Sequence, residues 1–171
     1  MDITSFPRRR LREALTIIPQ EATLFSGDVD SNLDPTGLIP KATIEKALQL
    51  CNGIASFEYR PDGDSTPRSS ETHGQGISLS TAVKAKGDNF SHGQRQVLSL
   101  CRALVRKSKL MLLDEATASM DYKTDQGIQE VLRMELNEHG RDRTLVTIAH
   151  RLQTIIDYDR VVVLSAGRVL E

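Results

Sequence analysis

Asp114 and Glu115 stand side by side directly after Leu110, Met111, Leu112 and Leu113. An unbroken apolar run of this kind reads as a buried strand, and two adjacent acids at its end carry a desolvation cost that calls for a reason. In open α/β sheets ligands gather beyond the carboxyl ends of the strands. An aspartate placed there can hold Mg2+ through water while the neighbouring glutamate orients or polarises an attacking water, the division of labour of phosphoryl transfer.

Upstream, Ser91-His92-Gly93-Gln94 forms an S-x-x-Q capping box at the head of a helix whose apolar stripe is Val97, Leu98, Cys101, Leu104 and Val105. Free amides at such a start, with the positive end of the macrodipole, make an anion site, and Gly93 lets a phosphate approach the backbone. A capped helix with no ligand is the plainer reading of that segment alone. His150 closes the run Thr144 to Ala149, where an imidazole can donate to a γ-phosphate and sense its loss. By itself it reads first as a chance histidine at a strand end.

The elements that must carry these groups alternate. Leu15 to Ile18 reads as a buried strand stopped by Pro19, which puts Gln20 at its carboxyl end. Lys41 to Cys51 spaces Ile44, Ala47, Leu48 and Cys51 as an amphipathic helix behind Pro40. Residues 60–75 turn to Pro, Gly, Ser, Thr, Asp and His and read as a long exposed loop inside a helical region. Helices over Ser91 to Lys107 and Thr124 to Glu138 flank the strand at Leu110, and Thr144 to Ile148 is a further strand. Arg151 to Ile156 is expected as a short helix. Val161 to Leu164 is expected to turn through Ser165, Ala166 and Gly167 into an antiparallel hairpin at the sheet edge. Such alternation argues for a parallel α/β sheet.

The 171 residues carry 22 basic and 23 acidic side chains, so no overall charge footprint favours nucleic acid. The concentration at Arg8, Arg9, Arg10 and Arg12 reads as a solvated face. Cys51 and Cys101, distant in sequence and each in an apolar helical pattern, imply neither a disulfide framework nor a zinc site. The aliphatic runs fall far short of the roughly 20 residues that span a bilayer. Phe25, Tyr122 and Tyr158 are expected as packing residues.

Taken in order, these segments resemble the ATP-binding cassette (ABC) domain. Gln20 matches the family's Q-loop, Phe90 to Gln94 (FSHGQ) its signature, Asp114 and Glu115 its Walker B pair, Asp121 its D-loop and His150 its switch histidine. The resemblance covers nearly the whole chain. It implies a phosphate-loop NTPase-like α/β fold, with a helical subdomain at about residues 28–108 inserted between core portions at 1–27 and 109–171. It further implies ATP and Mg2+ as ligands, with Asp114 and Gln20 at the metal, and Glu115, Gln20 and His150 in hydrolysis. Ser91, His92, Gly93, Gln94 and Asp121 would meet nucleotide across a head-to-tail dimer. Partners would be a second cassette and the transmembrane domains of an exporter, at the cytoplasmic face of a membrane. The run LFSGDVDSNLDP from Leu24 to Pro35, with GQRQ after Ser91, resembles the second cassette of multidrug-resistance-associated, or C-type, exporters. His92 departs from the family's glycine and adds bulk and a titratable ring beside the phosphate site.

No GxxxxGK[ST] phosphate loop occurs in the 171 residues. The lysine and amides of such a loop hold the β and γ phosphates, each charge-assisted bond contributing about 1.5–3 kcal/mol. Residues 1–171 alone are therefore expected to be marginally stable and not to hydrolyse ATP. A truncated, non-catalytic interaction module or inert remnant is the competing expectation. A coiled-coil DNA-repair ATPase is disfavoured by the lack of heptads.

Overall fold

The computed structural model describes residues 3–54, 76–115, 120–138, 143–149, 151 and 154–170. Helix α1 (Arg8–Ala14) runs straight into strand β1 (Leu15–Ile18). A short strand β2 (Gly27–Asp28), a five-residue helix α2 (Val29–Leu33) and α3 (Lys41–Asn52) follow. The chain continues with β3 (Ala82–Val83), α4 (His92–Arg106), β4 (Leu110–Asp114), α5 (Tyr122–Glu138) and β5 (Thr144–Ile148), and ends in β6 (Leu164–Ser165) and β7 (Arg168–Val169).

β1, β4 and β5 make one sheet in that spatial order, and both pairings are parallel. The strands expected at Leu15, Leu110 and Thr144, α3 and both long helices are present with boundaries shifted by no more than two residues, whereas residues 161–163, expected as strand, lie outside β6, which begins at Leu164. α4 ends at Arg106 because Lys107 adopts a left-handed C-cap conformation, φ 49°. α5 begins at Tyr122 rather than Thr124. The loop expected at 60–75 lies outside the described residues.

Packing is one-sided. Thr16 and Ile18 on β1, and Met111 and Leu113 on β4, are buried, and the core they belong to includes Val97, Leu98 and Leu104 of α4 and Ile128 and Leu132 of α5. The opposite face is the row Ile17, Leu112 and Val146, in register across three strands, followed by Asp114 beside Ile148. There Ile17 is 61% exposed, Val146 48% and Ile148 57%. A parallel sheet is normally covered on both faces, so this face is an apolar surface lacking its layer among the described residues.

α3 packs on α4, and the two cysteines, far apart in sequence, meet there. A hydrogen bond with Cys101, reinforced by burial, pushes the Cys51 thiol well above its ordinary value. The expected hairpin forms, Leu164 opposite Val169 and Ser165 opposite Arg168, but as a separate two-stranded sheet, exposed throughout, and not as an edge of the main one. Its loop residues Ala166 and Gly167 have φ 48° and 75°, the two-residue left-handed turn that closes a hairpin locally without a third strand. Residues 152 and 153 of the expected helix at Arg151 lie outside the described residues. What is described there is a turn closed by the Thr154 N–H on the Arg151 carbonyl at 3.1 Å.

The asymmetry of the sheet makes a stability prediction. In denaturant titrations of the 171-residue chain, Leu113→Ala on the covered face is expected to cost about 2–5 kcal/mol. Ile17→Thr on the open face should stay within about 0.5 kcal/mol. Comparable losses at both positions would show that the open face is packed in solution.

Candidate functional site

The site begins with strand register. Ile18 of β1 pairs with Leu113 of β4, and two residues beyond each lie Gln20 and Glu115. Pro19, which cannot donate to the ladder, stops β1 at this point. The Gln20 side-chain amide then donates to a carboxylate oxygen of Glu115 at 3.4 Å. Two residues 95 apart in sequence thus meet at the carboxyl ends of adjacent strands.

Glu115 itself is left-handed, φ 45°, and its N–H donates to the Ile148 carbonyl at 3.2 Å, carrying the β4–β5 bonding one residue past the strand. A non-glycine residue in that region costs about 1–2 kcal/mol, and such outliers cluster where function over-determines the backbone. Asp114 is exposed and Glu115 half-buried, so the acid pair faces open space at the sheet's end.

The head of α4 forms as its sequence dictates. Gln94 N–H donates to Ser91 Oγ at 3.2 Å, and Ser91 N–H donates to Gln94 Oε1 at 2.8 Å, a reciprocal capping box. Gln94 is consequently turned back onto the cap and buried, while Ser91 is exposed and His92 and Gly93 are half-buried. Phe90 is a core residue, which accommodates the exchange of leucine for phenylalanine. The approach is fixed by Gly87 at φ 72°, where an added Cβ would lie 2.9 Å from Leu24 Cδ1, and by Arg95, whose guanidinium donates to the Phe90 carbonyl at 2.8 Å.

Asp121 caps α5: its carboxylate accepts from the Thr124 N–H at 3.0 Å and hydroxyl at 2.6 Å. Those bonds, the hydroxyl foremost, hold its carboxyl below the usual range. His150 lies outside the described residues. Its neighbour Arg151 is anchored to α5, donating to Asp125 at 2.8 Å and to the Met120 carbonyl at 3.2 Å. Among the aromatics, Tyr158 is partly buried and its hydroxyl meets that of Thr147 at 2.8 Å; burial pushes its phenol up. Tyr122 is 67% exposed and does not pack as expected, because it opens α5 on the solvent side. Phe25 is also exposed, its ring lying 5.8 Å beneath the Arg102 guanidinium.

Sequence reasoning missed Gln96, Arg102 and Arg151. Gln96, buried on α4, donates to the backbone carbonyls of Pro19 at 3.1 Å and of Gln20. Arg102 donates to the carbonyls of Asn32 at 2.7 Å and Thr23 at 3.2 Å. For Gln96 and Arg102 the available signal was polar residues interleaved with the apolar stripe of α4, which periodicity alone treats as solvent-facing.

A family model described as ABC transporter matches residues 1–118. The chain belongs to the ABC transporter family. ABC transporter 7 of Pyricularia oryzae is 46% identical over 180 residues, covering all of this chain and 10% of the relative. The ATP-dependent bile acid permease of Saccharomyces cerevisiae is 41% identical over 177 residues, again all of this chain and 10% of the relative. The chain thus spans about a tenth of the length of these curated relatives. A solved bacterial Atm1-family ABC exporter with ATP bound superposes with TM-score 0.76 and 32% identity over all of this chain and 27% of its own. The fold is accordingly the α/β parallel sheet with helices of an ABC nucleotide-binding domain. No helix among the described residues is long and apolar enough to cross a membrane.

The Asp121 cap carries a pH signature. Because its folded-state pKa is depressed, its stabilising contribution is present above the unfolded value of 3.8 and is lost as pH falls through and below it. Urea midpoints of the ABC chain and its Asp121→Asn variant should therefore differ at pH 7 and converge toward pH 3. A gap independent of pH would mean that the carboxylate charge is not what caps α5.

Proposed function

We propose that this chain is the signature-bearing portion of the ATP-hydrolysing cassette of an ABC exporter, coupling ATP turnover to transport by transmembrane domains. The observation that carries it is the contact between Gln20 and Glu115 at adjoining strand ends beside an exposed Asp114. The chemistry of the donor set fits the ligands. Among the described residues no three His, Cys, Asp or Glu side chains converge as an all-protein cage would require. One open carboxylate with an amide beside it suits Mg2+, which keeps several waters and is shared with phosphate oxygens.

In this reading Asp114 and Gln20 hold Mg2+, which when bound would neutralise phosphate charge. Glu115 polarises the attacking water, and the Gln20 amide, already hydrogen-bonded to that carboxylate, orients it. A carboxylate kept in a strained backbone conformation and tied to Gln20 weighs against an inert module. His150 follows two residues after Ile148, the last residue of β5, and is assigned as donor to the γ-phosphate. Ser91, His92, Gly93 and Gln94, at the amino end of α4, would meet ATP held by a second cassette in a head-to-tail dimer, and Asp121 would communicate across the same seam.

Residues 28–108 would form the helical subdomain and 1–27 with 109–171 the core. The phosphate loop would come from sequence outside the 171 residues. The run from Leu24 to Pro35 supports a C-type second cassette, at the cytoplasmic face of a membrane.

The test is Glu115→Gln in the complete exporter. ATP turnover is expected to fall about 10²- to 10⁴-fold while ATP is still bound. Turnover at the wild-type rate would remove Glu115 from the chemistry and overturn the assignment.

A further inference from the structure

Gln96 is 1% exposed, and its side-chain nitrogen donates to two consecutive backbone carbonyls, those of Pro19 and Gln20. Both partners can only accept, so the amide end facing them must be the nitrogen. Its oxygen has no hydrogen-bond partner among the described residues. A buried amide left half-satisfied is a costly choice for a position that leucine would fill, and here only the donor end is used.

The same helix holds the far end of the loop. Arg102 donates to the Thr23 carbonyl at 3.2 Å and lies over the Phe25 ring, while Asn32 brackets Phe25 through its N–H and its carbonyl, each at 2.8 Å. The segment from Pro19 to Phe25 is therefore fastened at both ends to α4 or to the α2 residue that α4 grips, and Glu21 between them is exposed. α4 is one continuous helix of 15 residues, His92–Arg106, capped by Ser91, so it transmits a displacement of its amino end with little loss.

We propose that Gln96 is a positioning residue for Gln20, tying the Gln20 backbone to the helix whose amino end meets nucleotide, so that docking of that end and placement of the Gln20 amide against Glu115 are one movement. The proposal rests on Gln20 acting in hydrolysis. In this role Gln96 acts by fixing where the Gln20 side chain starts. Gln96→Leu keeps most of the volume and removes both donors.

In the complete exporter carrying this cassette, Gln96→Leu is expected to lower kcat for ATP about tenfold or more with KM changed no more than about twofold. Added to Gln20→Ala, it should lower kcat no further, because the group it positions is already gone. A general packing defect would instead multiply the two losses. Where Gln96→Leu fails to accumulate, the same cycle is read with Gln96→Glu, nearly isosteric but presenting an acceptor to the two carbonyls. Wild-type kcat in the Gln96 variant while Gln20→Ala is impaired, or fully multiplicative losses, overturns the proposal alone. Wild-type kcat in Gln20→Ala would overturn the hydrolytic role of Gln20 and this inference with it.

Discussion

The parallel register of β1 against β4 is the constraint from which the site follows. With Ile18 opposite Leu113, the first residues free of the ladder on each strand stand level, and Gln20 reaches Glu115. A slip of one residue would turn every β1 side chain to the other face of the sheet, exposing Ile18 and burying Ile17. The burial of Ile18 and Leu113 on one face therefore enforces, through packing energy, an alignment used two residues further on for polar chemistry. Pro19 contributes by ending the ladder where the glutamine is needed.

Much of this was legible in the chain because strands of a parallel sheet are rich in apolar residues on both faces, and those at Leu15, Leu110 and Thr144 could be placed without knowing their partners, although one face of them is open among the described residues. The capping box at Ser91 was legible for a local reason, since it needs nothing beyond four residues of its own helix. What was hidden depends on distant partners. β2 and β3 pair over two residues each, too few to show a period, and their antiparallel contact brings together segments on either side of the loop expected at 60–75. Gln96 and Arg102 look like solvent-facing positions until the loop they hold folds over them. The hairpin was readable as a hairpin, since its turn is local, yet its separation from the main sheet was not, because that depends on what lies along the edge of β5.

Glu115 carries two features at once. Its N–H bonds the Ile148 carbonyl, extending β4–β5 pairing past the strand, while its φ is left-handed. Glycine would adopt that φ more readily but could not supply a carboxylate. The strain is thus tied to the identity of the side chain.

The open face of the sheet and the anchoring of the loop from Pro19 to Phe25 are linked through α4. This helix covers the buried face, supplies the capped amino end and holds the Gln20 backbone, so every polar group of the site on the helical side refers to one rigid body. On the opposite face the row Ile17, Leu112 and Val146 leads toward Asp114 with nothing over it among the described residues. The acid pair at the end of this row is linked to α4 through Gln20, with Asp114 exposed and Glu115 half-buried. Water reaches such a pair freely, and the electrostatic advantage of a closed, low-dielectric site is absent until further protein covers the row. Under the proposed function, Gln20 and Glu115 would supply the geometry of catalysis, and cover over Ile17 and Val146 would supply the closed environment.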